Sequence, residues 1–136
     1  MSTPYRILVV DDDENLGHIM AETLIAAGYE VQTADDGLRG YLRYLEQQPE
    51  IVLTDIEMPK LDGLEMMRCI RAINPNVKAI YISGAVSQYR DALISEGEEY
   101  GALVLNKPFS RSDLLDSMNG WLSEPVASST QADDRE

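Results

Sequence analysis

Residues 51–63 of the chain read IVLTDIEMPKLDG. A short and nearly continuous run of Ile, Val and Leu is typical of a strand that is covered on both faces of a parallel sheet. The run ends at a charged side chain, Asp55, and Asp62-Gly63 then marks a turn and the start of a helix. Because ligands bind at the carboxyl ends of strands in open parallel sheets, Asp55 is the first candidate site residue.

Two other apolar runs lead into charged residues in the same way. ILVV at residues 7–10 is followed by Asp11 and Asp12, and LVL at residues 103–105 is followed within two residues by Lys107. Parallel strands place their carboxyl ends at one edge of the sheet. These charged side chains are therefore predicted to lie near one another.

Apolar segments alternate along the chain with segments of helical period. The segments predicted as strands are 5–10, 30–33, 51–54, 78–82 and 102–105. Between and after them, apolar residues recur at three- and four-residue spacing, which predicts helices. The last helix has one apolar face, formed by Leu114, Leu115, Met118, Trp121 and Leu122. Five strands alternating with five helices predict a doubly wound α/β domain.

Two of the predicted helices contain features that bear on the core and on redox chemistry. In the second helix the same spacing selects an apolar stripe of Leu38, Tyr41, Leu42 and Leu45. In the third helix Cys69 lies within MMRCI, residues 66–70, which predicts a buried core thiol. Because Cys69 is the only cysteine, an internal disulfide is excluded.

Length and charge exclude several classes of protein. The chain has 136 residues and a formal net charge of −13, which suits one domain and argues against binding to a nucleic-acid backbone. No apolar stretch approaches the ~18 residues of a transmembrane helix, and the start lacks the pattern of a signal peptide. We expect a cytoplasmic protein with a domain at residues 1–122 and a disordered, polar and acidic tail at residues 123–136.

The acidic cluster predicts a chemistry. Asp11, Asp12 and Asp55 would raise one another's pKa, and a bound cation removes that conflict. Carboxylates, a carbonyl and waters suit Mg²⁺, while Lys107 and the hydroxyl of Ser83 would contact a phosphoryl group. A carboxylate nucleophile, a metal, a lysine and a hydroxyl are the parts that in-line phosphoryl transfer to an aspartate requires.

At these residues the chain closely resembles the receiver domain of two-component response regulators. The resemblance covers roughly residues 5–122 and rests on separated motifs that occur in order. They are VVDD at 9–12, TDIEMP at 54–59, DG at 62–63, SGA at 83–85 and KPF at 107–109. The resemblance implies a flavodoxin-like (βα)5 fold with a five-stranded parallel sheet in the order 2-1-3-4-5.

The resemblance also implies roles for individual residues. Asp55 would accept a phosphoryl group from the phosphohistidine of a sensor histidine kinase or a histidine phosphotransfer protein. Ser83 and Lys107 would bind the phosphoryl oxygens, and the bond before Pro108 would be cis. The ligands of Mg²⁺ would be Asp11, Asp12, Asp55 and the backbone carbonyl of Glu57.

One position departs from the family pattern. Receivers commonly carry Tyr or Phe three residues before the lysine, and here that residue is Val104. We therefore expect phosphorylation to move Ser83 and its loop, with a weaker or differently shaped readout on the face of the fourth helix, fifth strand and fifth helix. Tyr81 and Tyr100 receive no role from the sequence, and the glutamates of residues 96–99 are expected to form a solvated rim.

The expected function is a stand-alone receiver, a monomer or weak dimer that catalyses only its own phosphorylation and dephosphorylation. Three roles stay open: a regulator that binds a target, a relay to a histidine phosphotransfer protein, and a sink for a kinase. A receiver cut from a longer hybrid kinase is a fourth possibility. A rival from another class is a haloacid-dehalogenase-like phosphatase that uses Asp11 as nucleophile and Asp13 as acid, but Asn15 and the short chain argue against it.

Overall fold

The computed structural model describes residues 5–84 and 86–122. Of the predicted features, Ala85, the side chains of Trp121 and Leu122, and the tail at residues 123–136 lie outside this part. The strands are β1 (Arg6–Val10), β2 (Glu30–Ala34), β3 (Ile51–Asp55), β4 (Lys78–Ser83) and β5 (Leu103–Asn106). The helices are α1 (Glu14–Ala26), α2 (Gly37–Gln47), α3 (Gly63–Ile73), α4 (Arg90–Tyr100) and α5 (Arg111–Leu122), with a 3-10 turn at Val86–Tyr89 before α4.

The strands form one parallel sheet in the order β2-β1-β3-β4-β5, which confirms the predicted fold. In the register of this sheet, Asp55 lies beside Ile82 and Ser83 lies beside Asn106. Lys107 follows Asn106 directly, and Asp11 follows the last residue of β1. The topology therefore brings all the predicted site residues to one edge of the sheet, where the strands end.

Each face of the sheet is covered by helices, so the inner strands β1, β3 and β4 are apolar on both sides. The first core packs alternate strand residues such as Val52 and Tyr81 against α2, α3 and α4. The second core packs their neighbours, such as Leu53 and Ile82, against α1 and α5. This arrangement explains why the sequences of these inner strands are nearly continuously apolar instead of alternating.

The apolar stripe that places α2 in the sequence lies mostly outside the core. The helix buries Gly40 and Tyr44, whereas three leucines of the stripe are 43–50% exposed, namely Leu38, Leu42 and Leu45. A Cβ atom built on Gly40 would lie 2.6 Å from the sulfur of Met66, so α2 packs closely against the domain at a residue without a side chain. That close contact turns the leucines toward solvent.

The predicted core thiol is wrong, because Cys69 is exposed. The buried face of α3 is occupied by Met66, Met67 and Ile70, whose side chains are fully buried. Cys69 falls outside that face although Ile70 follows it directly and Met67 and Met66 lie two and three residues before it. A helix that packs on one side buries only part of an apolar run.

Candidate functional site

Asp11 begins the site at the end of β1. Its amide donates to the carbonyl of Ala34 at 3.1 Å, which extends the sheet pairing by one residue. Its Oδ1 accepts a hydrogen bond from the amide of Asp13 at 2.8 Å, while Oδ2 is buried and has no hydrogen-bond partner. A buried carboxylate oxygen without a donor is a costly arrangement, and a cation would satisfy it.

Asp13 has a different task. Its side chain accepts from the amides of Asn15 and Leu16 and caps the N-terminus of α1. Because the carboxylate accepts these two hydrogen bonds, it serves as a helix cap, which does not suit the role of a general acid. The phosphatase alternative, which needs Asp13 as the acid, is not favoured.

Asp55 ends β3, and its backbone and side chain are both fixed locally. Oδ1 accepts from the amide of Ile56 at 2.9 Å, and the hydroxyl of Thr54 donates to the Asp55 carbonyl at 2.8 Å. A Cβ atom built on Gly63 would lie 2.2 Å from that carbonyl, so the start of α3 can approach only as glycine. Asp62 caps α3 in a capping box with Glu65, as expected of a turn and helix start.

Lys107 reaches the acids from the end of β5. Its Nζ lies 3.3 Å from Oδ2 of Asp55 and 3.9 Å from Oδ2 of Asp11. Its amide donates to the carbonyl of Ser83 at 3.0 Å, which ties the end of β5 to the end of β4. The Lys107-Pro108 bond is cis, as expected.

The carboxylates form a compact group. Ligand oxygens of Asp11, Asp12 and Asp55 all lie within 4.8 Å of one another in the described part of the chain. Burial raises the pKa of Asp11 to about 6, against the opposing effect of its backbone hydrogen bond. Burial likewise raises the pKa of Asp55, and the nearby Lys107 opposes that increase. Two buried carboxylates and one exposed carboxylate, with one buried oxygen that accepts no hydrogen bond, fit a divalent cation with oxygen ligands, such as Mg²⁺.

Tyr89 is a site neighbour that the sequence did not reveal. It ends the 3-10 turn after β4, and its hydroxyl donates to Oε2 of Glu57 at 2.7 Å. This hydrogen bond raises the pKa of Tyr89 to about 12. The hydrogen bond connects the loop that follows Asp55 at the end of β3 with the loop that follows Ser83 at the end of β4.

A second polar group lies behind the site, between α3, α4 and β4. The hydroxyl of Tyr81 donates to Oε1 of Glu96 at 2.5 Å, and Arg71 also donates to that oxygen. The guanidinium of Arg71 lies 3.8 Å from the ring centroid of Tyr100. The prediction of a solvated rim is therefore wrong for Glu96, whose side chain is only 18% exposed. Its partners lie 15 and 25 residues away in sequence, so no local pattern could have revealed them.

The chain belongs to the response regulator receiver domain family, because the sequence model of that family matches residues 7–119. It is thus a receiver domain of two-component signal transduction. The class was expected from the motifs, and the fold agrees with it.

Similar proteins include receivers of nearly the same length. The chain is 35% identical over 119 residues to the response regulator receiver protein CpdR of Brucella abortus, covering 86% of this chain and 96% of CpdR. It is 34% identical over 116 residues to the chemotaxis protein CheY of Thermotoga maritima, covering 84% of this chain and 94% of CheY. Other curated relatives are longer, and the match spans about half of their length.

A similar solved structure concerns the metal. The receiver domain of the sensor histidine kinase PA1611 from Pseudomonas aeruginosa, solved with a magnesium ion in the active site cleft, has a TM-score of 0.77. The two sequences are 27% identical, and the match covers 89% of this chain and 99% of the PA1611 domain.

Among the described residues of the chain, no helix is long and apolar enough to span a membrane.

Proposed function

We propose that this receiver is switched by phosphorylation of Asp55, with Mg²⁺ as cofactor and a phosphohistidine of a kinase or phosphotransfer protein as donor. The observation that carries the proposal is the convergence of Asp11, Asp12 and Asp55 with Lys107 at one edge of the sheet. The carbonyl of Glu57, two residues after the acceptor, would join the acids as a metal ligand. Bound there, Mg²⁺ would supply positive charge to the oxygens of the phosphoryl group.

The side chains of the site have distinct tasks in this reaction. A carboxylate oxygen of Asp55 attacks the phosphorus, the N–P bond of the phosphohistidine breaks, and the imidazole leaves with the electron pair. The ammonium group of Lys107 donates a hydrogen bond to Asp55 at 3.3 Å. After the transfer it would stabilise the negative charge on the phosphoryl oxygens. Ser83 at the end of β4 would donate its hydroxyl to the same group. Hydrolysis of the acyl phosphate returns Asp55 to its starting state.

Readout of this event is proposed to depend on the loop after Ser83 and to be weaker or differently shaped on the α4-β5-α5 face. Two observations support this. Val104 at the usual aromatic position is 37% exposed, and α4 is tied to the body of the domain through Glu96. Amide chemical shifts with and without a phosphoryl mimic test it, and large changes spread over the whole face would contradict it.

The phosphorylation itself is tested with acetyl phosphate as donor. We expect an adduct of one phosphoryl group in the intact mass, dependent on Mg²⁺ and mapped to Asp55. Asp55→Asn should abolish it, because the amide is a poor nucleophile. Asp62→Asn is a matched control, since Asp62 lies in the same loop region but caps α3, and it should still be phosphorylated.

The other outcomes separate the alternatives. An adduct on Asp11 would indicate phosphatase-like chemistry and would overturn the proposal. Absence of any adduct in the wild-type protein would indicate a receiver that works without phosphorylation.

We further propose that the protein acts in the cytoplasm, through contacts with a kinase and a target protein. We propose that it does not bind nucleic acid, because its net charge of −13 would repel the phosphate backbone.

A further inference from the structure

The outer face of α2 carries an exposed apolar stripe that the receiver chemistry does not use. Leu38, Leu42 and Leu45 are 45%, 50% and 43% exposed and follow one another at spacings of four and three residues. This is the spacing of the seam residues of a coiled coil. Single exposed leucines need no explanation, but three on one line of one helix indicate an interaction surface.

The charges beside the stripe identify the partner. α2 carries two arginines and one glutamate, whereas the whole chain has a net charge of −13. With Asp35 and Asp36 at the start of the helix, residues 35–47 have a net charge of −1, so a second copy of the chain would be repelled less by this helix than by the rest of the molecule. Arg39 and Glu46 lie on the same side of the leucine stripe, near opposite ends of the helix.

We propose that the occupant of this face is a second copy of the chain, with the two α2 helices packed antiparallel about a two-fold axis. When Leu42 packs on Leu45 of the second copy, Arg39 lies across from Glu46 of that copy, and the same pair repeats by symmetry. Within the chain these two residues now make ion pairs at 3.6–4.0 Å, Arg39 with the exposed Asp35 and the buried Asp36, and Glu46 with the exposed Arg43. The side chains of Arg39 and Glu46 are themselves 67% and 65% exposed. Such pairs are weak, so they can be exchanged for pairs across the dimer.

The contact is small. One helix against its copy stays below the ~1,200 Å² that a stable complex needs, so we expect a weak dimer with a dissociation constant on the order of 0.1 mM. The dimer would leave the carboxyl ends of the strands open. It does not depend on the phosphorylation of Asp55 and is tested on the unmodified protein.

The experiment is sedimentation equilibrium of the full chain without Mg²⁺ or phosphodonor, at concentrations up to ~1 mM, chosen to exceed the expected dissociation constant. The wild-type protein should show a mass that rises toward that of a dimer. Leu42→Glu should abolish the rise, because two carboxylates would be buried in the seam. Ile94→Glu is the matched control, since Ile94 is 47% exposed on α4, and it should dimerise like the wild type.

Charge reversal tests the register. Arg39→Glu and Glu46→Arg should each weaken dimerisation roughly tenfold, since each places like charges across the seam twice. The double reversal should restore it to within roughly twofold. Each reversal exchanges weak ion pairs within the chain for like charges, with Asp35 and Asp36 in Arg39→Glu and with Arg43 in Glu46→Arg. Each also gives α2 a favourable residue near one of its ends. A glutamate at position 39 would complete a capping box with Asp36, and an arginine at position 46 suits a helix C-terminus.

The remaining outcomes overturn the proposal. If the wild-type chain stays monomeric over the whole concentration range, the stripe does not bind a second copy, and a helix of another protein becomes the alternative occupant. Equal loss of dimer in Leu42→Glu and Ile94→Glu would place the interface elsewhere. Failure of the double reversal to restore the dimer would exclude the antiparallel register.

Discussion

At the scale of single residues, Lys107 has the most consequences for the site. One positive charge faces two carboxylate oxygens, at 3.3 Å and 3.9 Å, from Asp55 and Asp11. It holds down the pKa of Asp55 against the effect of burial. The same charge repels a divalent cation, so the lysine favours ionised acids and opposes metal binding at the same time.

Replacing this lysine by an apolar side chain separates the two effects. We expect Lys107→Met to tighten Mg²⁺ binding several-fold at pH 8, by about 1 kcal/mol, because the repulsion of the cation is removed. Isothermal titration calorimetry measures the affinity. Lys60→Met is the control, since Lys60 pairs with Asp36, and its affinity should not change. Weaker binding by Lys107→Met would show that the lysine organises the acids instead of opposing the metal.

At the scale of elements, α4 is held to the domain in an unusual way. Only Leu93 of this helix is buried in the core. The second attachment is polar: Glu96 accepts from Tyr81 in β4 and from Arg71 in α3. The side chain of Arg71 is 3% exposed, and its Nε and Nη2 have no hydrogen-bond partner. The position of α4 therefore depends on this polar group as well as on the packing of Leu93.

Removal of Glu96 should be costly for this reason. We expect Glu96→Ala to lower the free energy of unfolding by about 3 kcal/mol, since it leaves the buried Arg71 without a counter-charge. Tyr81→Phe should cost about 1 kcal/mol through the loss of one hydrogen bond. Urea denaturation measures both. Glu98→Ala, an exposed residue of the same helix, should change stability by less than about 0.5 kcal/mol. A similar small change for Glu96→Ala would mean that the pair adds nothing net.

At the scale of the whole molecule, the acidic site acts against the stability of the fold. The pKa of Asp11 rises from its usual 3.8 to about 6 because the group is buried. Between these two pH values the folded state binds a proton that the unfolded state has lost. Stability therefore falls as the pH rises through this window and stays lower above it. A cation bound to the ionised acids would offset the loss.

This sign leads to a prediction for the metal-free protein. With a chelator present, unfolding in urea should show a stability at pH 7.5 that is lower than at pH 5 by on the order of 1 kcal/mol from Asp11. Asp11→Asn should remove that share of the fall, because the amide does not titrate. Asp116→Asn, an exposed acid of α5, should keep it. An unchanged fall in Asp11→Asn would assign the pH dependence to other groups.

Much of this was predictable because the information is local. The apolar runs predicted both ends of every strand to within one residue. The residues that follow three of these runs predicted the site, since the carboxyl ends of parallel strands lie at the same edge of the sheet. The caps at Asp13 and Asp62 could be read in the same way, because a cap depends on neighbours two or three residues away.

The sequence by itself determined the fold class, the family and the meeting of Asp55 with Asp11 and Lys107. Only the tertiary structure decided which side of each helix is buried. The leucines of α2 and Cys69 are exposed because close packing at Gly40 and Met66 sets the rotation of the helices, whereas the apolar pattern admits more than one rotation. The burial of Glu96 and the contact of Tyr89 with Glu57 likewise depend on partners that are distant in sequence and meet only in the folded chain.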